Sequence, residues 1–254
     1  MIGAATLNIK TINPMDYCYN NIGAKIMRLE RNSDEFKVLE QYVNISSNDL
    51  ETQRKSNLIC NIYAIERSGE REATKIWEKN GNKILLWHGT KPQNVLGIIQ
   101  TGFRIAPIGV ESTGAMFGPG IYFADNFAKS YNYTPGISLS FYGPNESRNF
   151  KEPKKYMMLC EVLLGDMKKL YQAEQITDIP NSKFQSVMGV GSNGPSKGGE
   201  VYLPNGSVVP LGKLVENVLP PKEKEKQQYF SLNHNEYIVY NTSQVRIKYI
   251  LELR

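Results

Sequence analysis

Histidine and cysteine are scarce in this chain. It has two histidines, His88 and His234, and three cysteines, Cys18, Cys60 and Cys160, in 254 residues. No Cys-x-x-Cys pair occurs, so the thiolates and imidazoles of a zinc site are not supplied and no metal is expected. Three scattered thiols suit a reducing compartment, and each reads as a small buried hydrophobe. Long apolar runs are missing too, whereas a membrane span needs about 18 consecutive residues. Met1 to Thr6 offers neither a basic stretch nor a sustained apolar one. A secretory signal is therefore not expected, and sequons such as Asn205-Gly206-Ser207 carry no weight. The absence of G-x-x-x-x-G-K-[ST] excludes a P-loop nucleotide triphosphatase. Charge of one sign is not concentrated either: 30 basic and 25 acidic residues leave a net +5. The densest stretch, Lys222 to Lys226, alternates in sign and reads as a solvated loop rather than a phosphate-binding patch.

What is present is an ordinary globular composition, 41% hydrophobic and 22% charged, on a length that suits one large domain or two small ones. Residues 1–23 are Asn-rich without sustained period and read as a lead-in, leaving 24–254 for the folded domain. Ser33 can cap a helix reaching Val43, with Phe36, Leu39 and Val43 on one face. Leu58 to Ile65 reads as a buried strand, and Glu70 to Lys79 as a short helix anchored by Trp77. Ile84 to His88 is apolar on both faces, as a central strand should be. Thr90 can cap a helix opening at Pro92, turning Val95, Leu96, Ile98 and Ile99 inward and stopping at Gly102. Tyr122 to Ala124 is a further strand, after which Asp125 or Asn126 can cap a helix through Lys129 and Tyr133. Tyr156 to Leu164, Tyr237 to Tyr240 and Val245 to Leu253 complete the strands, with hairpin signals such as Asn205-Gly206 between 186 and 213. Early helices before a strand-rich remainder predict an α+β fold.

Gly189-Val190-Gly191-Ser192-Asn193-Gly194 matches G-x-G-x-x-G literally. Pro195 and Gly198-Gly199 follow, and they cannot open the helix a dinucleotide-binding turn requires. The stretch reads as a flexible loop. His88, Tyr122 and Glu236 taken singly would be a structural imidazole, a core ring and a surface acid. Each nevertheless borders a strand-like apolar run. A carboxylate beside Tyr237-Ile238-Val239-Tyr240 is partly buried, at a free-energy cost usually tolerated where the charge is needed.

Ile84 to Thr90, Gly102 to Pro107, residues 113–133 and residues 235–252, in that order, resemble the catalytic domain of the poly(ADP-ribose) polymerases. The likeness extends from about Pro14 to Arg254 and is strongest to the DNA-damage-responsive members. It implies an ADP-ribosyltransferase fold of two packed, antiparallel-rich sheets with flanking helices, and NAD as co-substrate without a metal. It further implies that His88 holds the adenosine ribose, while Gly89 and Ser130 clamp the nicotinamide carboxamide. Tyr133 and Tyr122 would face the nicotinamide ring, and Thr90 and Arg104 would lie near the adenosine. Lys129 would stand on the acceptor side, and Glu236 would be the catalytic glutamate.

Breaking the nicotinamide–ribose bond makes an oxocarbenium-like transition state, as in glycoside hydrolysis. A carboxylate near the ribose stabilises the growing positive charge more than it stabilises the ground state. Two aromatic faces and an amide clamp orient the leaving group. A glutamate at position 236 is the family's feature for chain elongation, so the resemblance implies polymer formation on protein acceptors. His234 stands where the nearest members carry a tyrosine close to the acceptor, which leaves single transfer open as the alternative. A silent module that binds NAD or ADP-ribose is the alternative from another class, although such a reader has no need of Glu236. Asn13 to Tyr17 resembles the end of the helical regulatory domain that precedes this fold in relatives. Without that domain and the DNA-binding modules, activity independent of DNA is expected. Nuclear residence follows only through the family, and a monomer is the default.

Overall fold

Asn13 caps a helix that the irregular composition of the lead-in conceals. Its Oδ1 accepts from the Met15 amide, Pro14 sits in the first turn, and α1 runs Pro14–Asn20. No residue of α1 is buried, so it has no apolar stripe for a periodicity reading to find. The computed structural model describes residues 13–47, 58–79, 81–107, 115–134, 154–176, 183–204, 206–218 and 232–254. Lys222 to Lys226 and Asn205 lie outside them.

After α1 come strand β1 (Ala24–Arg28) and α2 (Asp34–Ile45), which Ser33 caps by accepting from the Phe36 amide. Then follow β2 (Ile59–Arg67), α3 (Glu70–Glu78), β3 (Lys83–Gly89) and α4 (Pro92–Thr101). β4 (Ile121–Phe123), α5 (Phe127–Tyr131) and β5 (Lys155–Leu163) form the middle of the chain. The remainder is β6 (Met167–Leu170), β7 (Ser186–Gly189), β8 (Asn193–Pro195), β9 (Glu200–Tyr202), β10 (Val208–Pro210), β11 (Leu214–Glu216), β12 (Glu236–Val239) and β13 (Val245–Leu253).

A seven-stranded sheet has the order β1-β2-β13-β5-β3-β10-β9, and a four-stranded sheet the order β4-β12-β7-β6. β8 and β11 form a separate ribbon. Pairing is antiparallel except for β10 with β3 and β6 with β7. The expected α+β architecture of two antiparallel-rich sheets is therefore found. β3 shows why its sequence reads as apolar throughout: Leu85 and Trp87 point to the layer under α2, while Leu86 points into the layer shared with the smaller sheet. That shared layer holds Phe123, Met158, Cys160, Tyr237, Val239 and Ile247, so apolar burial clamps the two sheets face to face. Phe117, Val187 and Ile238 cover the far side of the smaller sheet.

Several local readings change. Lys91, not Thr90, is the N-cap of α4, and it makes no side-chain cap bond. Pro92 already fixes the first turn, and the Thr90 hydroxyl instead accepts from Asn94 Nδ2 at 3.1 Å. Leu96 is on the outer face, 50% exposed, because the stripe that meets the sheet is formed by Val95 and Ile99, with Ile98 partly buried beside them. In α3 the buried residue is Thr74, while Trp77 is half-buried and donates to Ser243 Oγ at 2.8 Å. α5 stops at Tyr131, short of Tyr133. The G-x-G-x-x-G stretch is a strand, a tight connection and a strand, packed rather than flexible. A Cβ on Gly191 would come within 2.3 Å of the His234 backbone. Among the described residues no helix is long and apolar enough to cross a membrane.

Candidate active site

Among the described residues, the backbones of the two sheets are stitched together at Trp87 and Ala124. The Trp87 amide donates to the Ala124 carbonyl at 2.8 Å, and the Ala124 amide donates back to Trp87 at 3.0 Å. This stitch sets the next residue of β3, His88, against β4. Nδ1 of His88 lies 2.9 Å from the Tyr122 carbonyl. A carbonyl only accepts, so Nδ1 carries the hydrogen and Nε2 keeps its lone pair for another partner. Burial pushes the imidazole below its usual 6.5, which favours this neutral form. The rings of Phe103 and Phe123, with centroids 4.8 and 5.6 Å away, hold it in place.

Gly89 follows at the strand end. A Cβ there would sit 1.8 Å from the Ser130 carbonyl oxygen, so glycine is what lets α5 approach. α5 starts where Asn126 Oδ1 accepts from the Lys129 amide at 3.0 Å. It carries Ser130, whose hydroxyl donates to the Trp87 carbonyl at 3.1 Å. Tyr133, just beyond the helix, is 55% exposed at the mouth. Tyr122 is fixed at both ends of its hydroxyl, donating to the Gly118 carbonyl at 2.7 Å and accepting from the Phe117 amide at 3.0 Å. Burial pushes that phenol up to about 12, so it stays neutral across the physiological range.

Glu236 opens β12 and is 8% exposed. Its Oε1 pairs with Lys129 Nζ at 2.8 Å, and the same ammonium donates to the His234 carbonyl at 3.1 Å. Burial lowers the Lys129 pKa against the opposing pull of Glu236 and Asp125. Among the described residues, the buried side-chain atoms with no hydrogen-bond partner are Trp87 Nε1, Asp125 Oδ1, Asn126 Nδ2, His234 Nδ1 and Glu236 Oε2. All five belong to three short stretches around this one cleft. Of the five residues only Glu236 lines the cleft, so its Oε2 is the unsatisfied atom that a ligand there can reach.

The cleft measures about 240 Å³, and every residue anticipated from sequence lines it except Thr90. A more open recess of about 540 Å³ shares His88, Arg104, Gly120 and Tyr122 with it and runs along α4 past Gln93 and Asn94. Two recesses sharing a wall suit a ligand with two ends. Ala106, Ala115, Pro119 and Gly120 also line the cleft and carry no sequence signal beyond their small size. No group of three or more His, Cys, Asp or Glu residues able to hold a metal occurs among the described residues.

The model of the poly(ADP-ribose) polymerase catalytic domain family matches residues 33–254. Human poly [ADP-ribose] polymerase 2 is 36% identical over 243 residues, which is 95% of this chain and 38% of the human protein. Poly [ADP-ribose] polymerase 1 of Xenopus laevis is 37% identical over 243 residues, 95% of this chain and 22% of that protein. The poly [ADP-ribose] polymerase of Sarcophaga peregrina is 35% identical over the same share of this chain and 22% of its own length. The chain thus spans well under half the length of the curated relatives it matches.

Proposed function

Because this chain belongs to the poly(ADP-ribose) polymerase catalytic-domain family, we propose that it is an NAD-dependent protein ADP-ribosyltransferase that extends poly(ADP-ribose). In this reading nicotinamide occupies the smaller cleft and the adenosine end lies in the recess along α4. The Ser130 hydroxyl and the backbone of Gly89 grip the carboxamide. The Tyr122 and Tyr133 rings flank the pyridinium, and the imidazole of His88 accepts from the adenosine ribose through Nε2. Arg104 and Thr90 stand toward the adenosine, and Lys129 toward the acceptor.

The ribose C1′–nitrogen bond breaks, its electron pair going to the pyridinium nitrogen, so nicotinamide leaves neutral. The acceptor oxygen then bonds C1′ and releases its proton to water, so one proton is set free for each nicotinamide. Glu236 stabilises the cationic ribose and polarises that acceptor hydroxyl, an electrostatic contribution that grows toward the transition state. The observation that carries the reading is the Glu236 carboxylate: buried in the cleft wall, held through Oε1 by Lys129, with Oε2 left unpaired. A module that only bound NAD would gain nothing from this arrangement. His234 favours a second reading, single transfer. Its carbonyl holds Lys129 and its Nδ1 is buried without a partner, so an imidazole stands beside the proposed acceptor side.

Incubating the purified chain with labelled NAD, without DNA, and running a denaturing gel separates the readings. A high-molecular-weight ladder is expected, in keeping with the exposed mouth at Tyr133. One sharp band would replace elongation by single transfer. NAD binding without label transfer would refute the transferase reading. Strong stimulation by broken DNA would refute DNA independence.

A further inference from the structure

Behind the cleft lies an acid to which the chemistry above gives no role. Asp125 is 3% exposed and follows Ala124, whose backbone is stitched to Trp87, so the chain at this point is fixed. Its Oδ2 accepts two hydrogen bonds, from Asn235 Nδ2 at 2.8 Å and from the Tyr237 hydroxyl at 3.0 Å. These two donors are the immediate chain neighbours of Glu236. Side chains alternate along a strand, so Asn235 and Tyr237 share the face turned to Asp125, while Glu236 projects the other way, toward Lys129. One carboxylate oxygen therefore grips the strand on both sides of Glu236 from behind.

We propose that Asp125 is a positioning residue, fixing through Asn235 and Tyr237 where the Glu236 carboxylate stands in the cleft. The proposal rests on the transferase reading of that cleft. A second tether supports it. Asn235 Oδ1 accepts from the Gly191 amide and from Asn217 Nδ2, each at 3.0 Å, and Asn217 Nδ2 also donates to the Gly191 carbonyl at 2.7 Å. Room for this comes from two glycines: a Cβ on Gly194 would meet Asn235 Nδ2 at 2.4 Å, and one on Gly191 the His234 backbone. The G-x-G-x-x-G spacing thus supports a side-chain network rather than a phosphate.

An acid kept only for stability would have both oxygens satisfied. Asp125 Oδ1 has no partner among the described residues, and burial pushes the carboxyl up to about 6 despite its two donors. Two donors converging on one oxygen favour a charged acceptor over a neutral one. Groups held at a stability cost cluster at working sites.

The test compares Asp125→Ala, which removes the acceptor, with Asp125→Asn, which keeps an oxygen there. Nicotinamide release gives kcat and KM for NAD. Expected for Asp125→Ala is a kcat lower by roughly 10- to 100-fold with KM within about threefold, since ångström-scale misplacement of a reacting group has effects of that size. Asp125→Asn should recover most of the loss. An alanine variant with full kcat, or an asparagine variant no better than alanine, overturns the proposal. Crystal structures of the two variants supply a readout independent of turnover. The 2.8 Å contact of Glu236 with Lys129 should open in the alanine variant and persist in the asparagine one. An unmoved Glu236 in the alanine variant overturns the proposal, whereas an inactive parent chain would refute the transferase reading instead. Tyr237→Phe removes one donor only, and should give a smaller kcat loss if alanine at 125 prevents folding.

Discussion

Glu161 on β5 and Glu236 on β12 are both buried carboxylates on strands, yet their surroundings differ completely. Glu161, 2% exposed, is met on every side: Arg246 at 3.1 Å, the Ser207 hydroxyl at 2.6 Å and Lys83 at 3.9 Å. Arg246 is in turn held by Thr74 and Glu78. Glu236 has one cation on one oxygen and no partner on the other. A charge inside a sheet is stable when its partners are complete, and available for chemistry when they are not. The first network ties β5, β13, α3 and the loop before β10 together. The second surrounds the cleft.

Substitutions should separate the two acids in opposite senses. Glu236→Gln should lower kcat by on the order of 10² to 10³, the range for losing one oriented electrostatic group, with little change in melting temperature because the glutamine oxygen still accepts from Lys129. An unaltered rate and product length would remove Glu236 from the mechanism. Glu161→Ala should do the reverse, destabilising by about 3 kcal/mol because Arg246 and the Ser207 hydroxyl lose their shared buried acceptor. Denaturant unfolding reads this, and turnover per folded molecule should be unchanged below the transition.

Gly89→Ala probes the seam between the regions. Its Cβ would collide with the Ser130 carbonyl, so α5 must retreat, and nicotinamide as a competitive inhibitor should weaken about tenfold or more. Unchanged inhibition would place the carboxamide elsewhere.

Asp125 gives a pH signature. Its folded pKa of about 6 lies above the ordinary 3.8, so the stability it contributes is complete below about 4 and is lost as pH rises through about 6. The difference in unfolding free energy between the parent chain and Asp125→Asn should change by on the order of 2 kcal/mol over that interval. Parallel curves would show that Asp125 does not titrate there. The smallest effect concerns His88. Its pKa is lowered by burial, so NAD affinity should stay level down to pH 6.5 and fall only below it. A fall beginning above 6.5 would contradict a neutral imidazole in the site.

Much of this was legible because the residues lining the cleft stand at strand ends. The apolar runs before His88 and after Glu236 fix β3 and β12, and the residues at their tips follow. Local caps such as Ser33 were legible for the same reason, since the donor and acceptor are three residues apart. What sequence reasoning missed depends on contacts across the fold. Asp125 read as a cap candidate beside Asn126, and only the pairing of β12 with β4 shows that Asn126 caps while Asp125 turns to Asn235, 110 residues away. Asn217 gave no signal, and Gly191 and Gly194 gave one that reads as a flexible loop, because their value is the space they leave for Asn235 and His234. Leu96 was misplaced because a helix of ten residues offers more apolar positions than one sheet face can cover.

The hydrogen bond from Ser130 to the Trp87 carbonyl has a consequence for choice of ligand. With its single proton engaged by a backbone oxygen, that hydroxyl presents lone pairs to the cleft, so it accepts an N–H as it stands and meets an oxygen only after its proton rotates away from Trp87. In the proposed clamp a pyridine bearing a carboxylate in place of its carboxamide would require that rotation. The deamidated dinucleotide should therefore be disfavoured by a group that carries no charge.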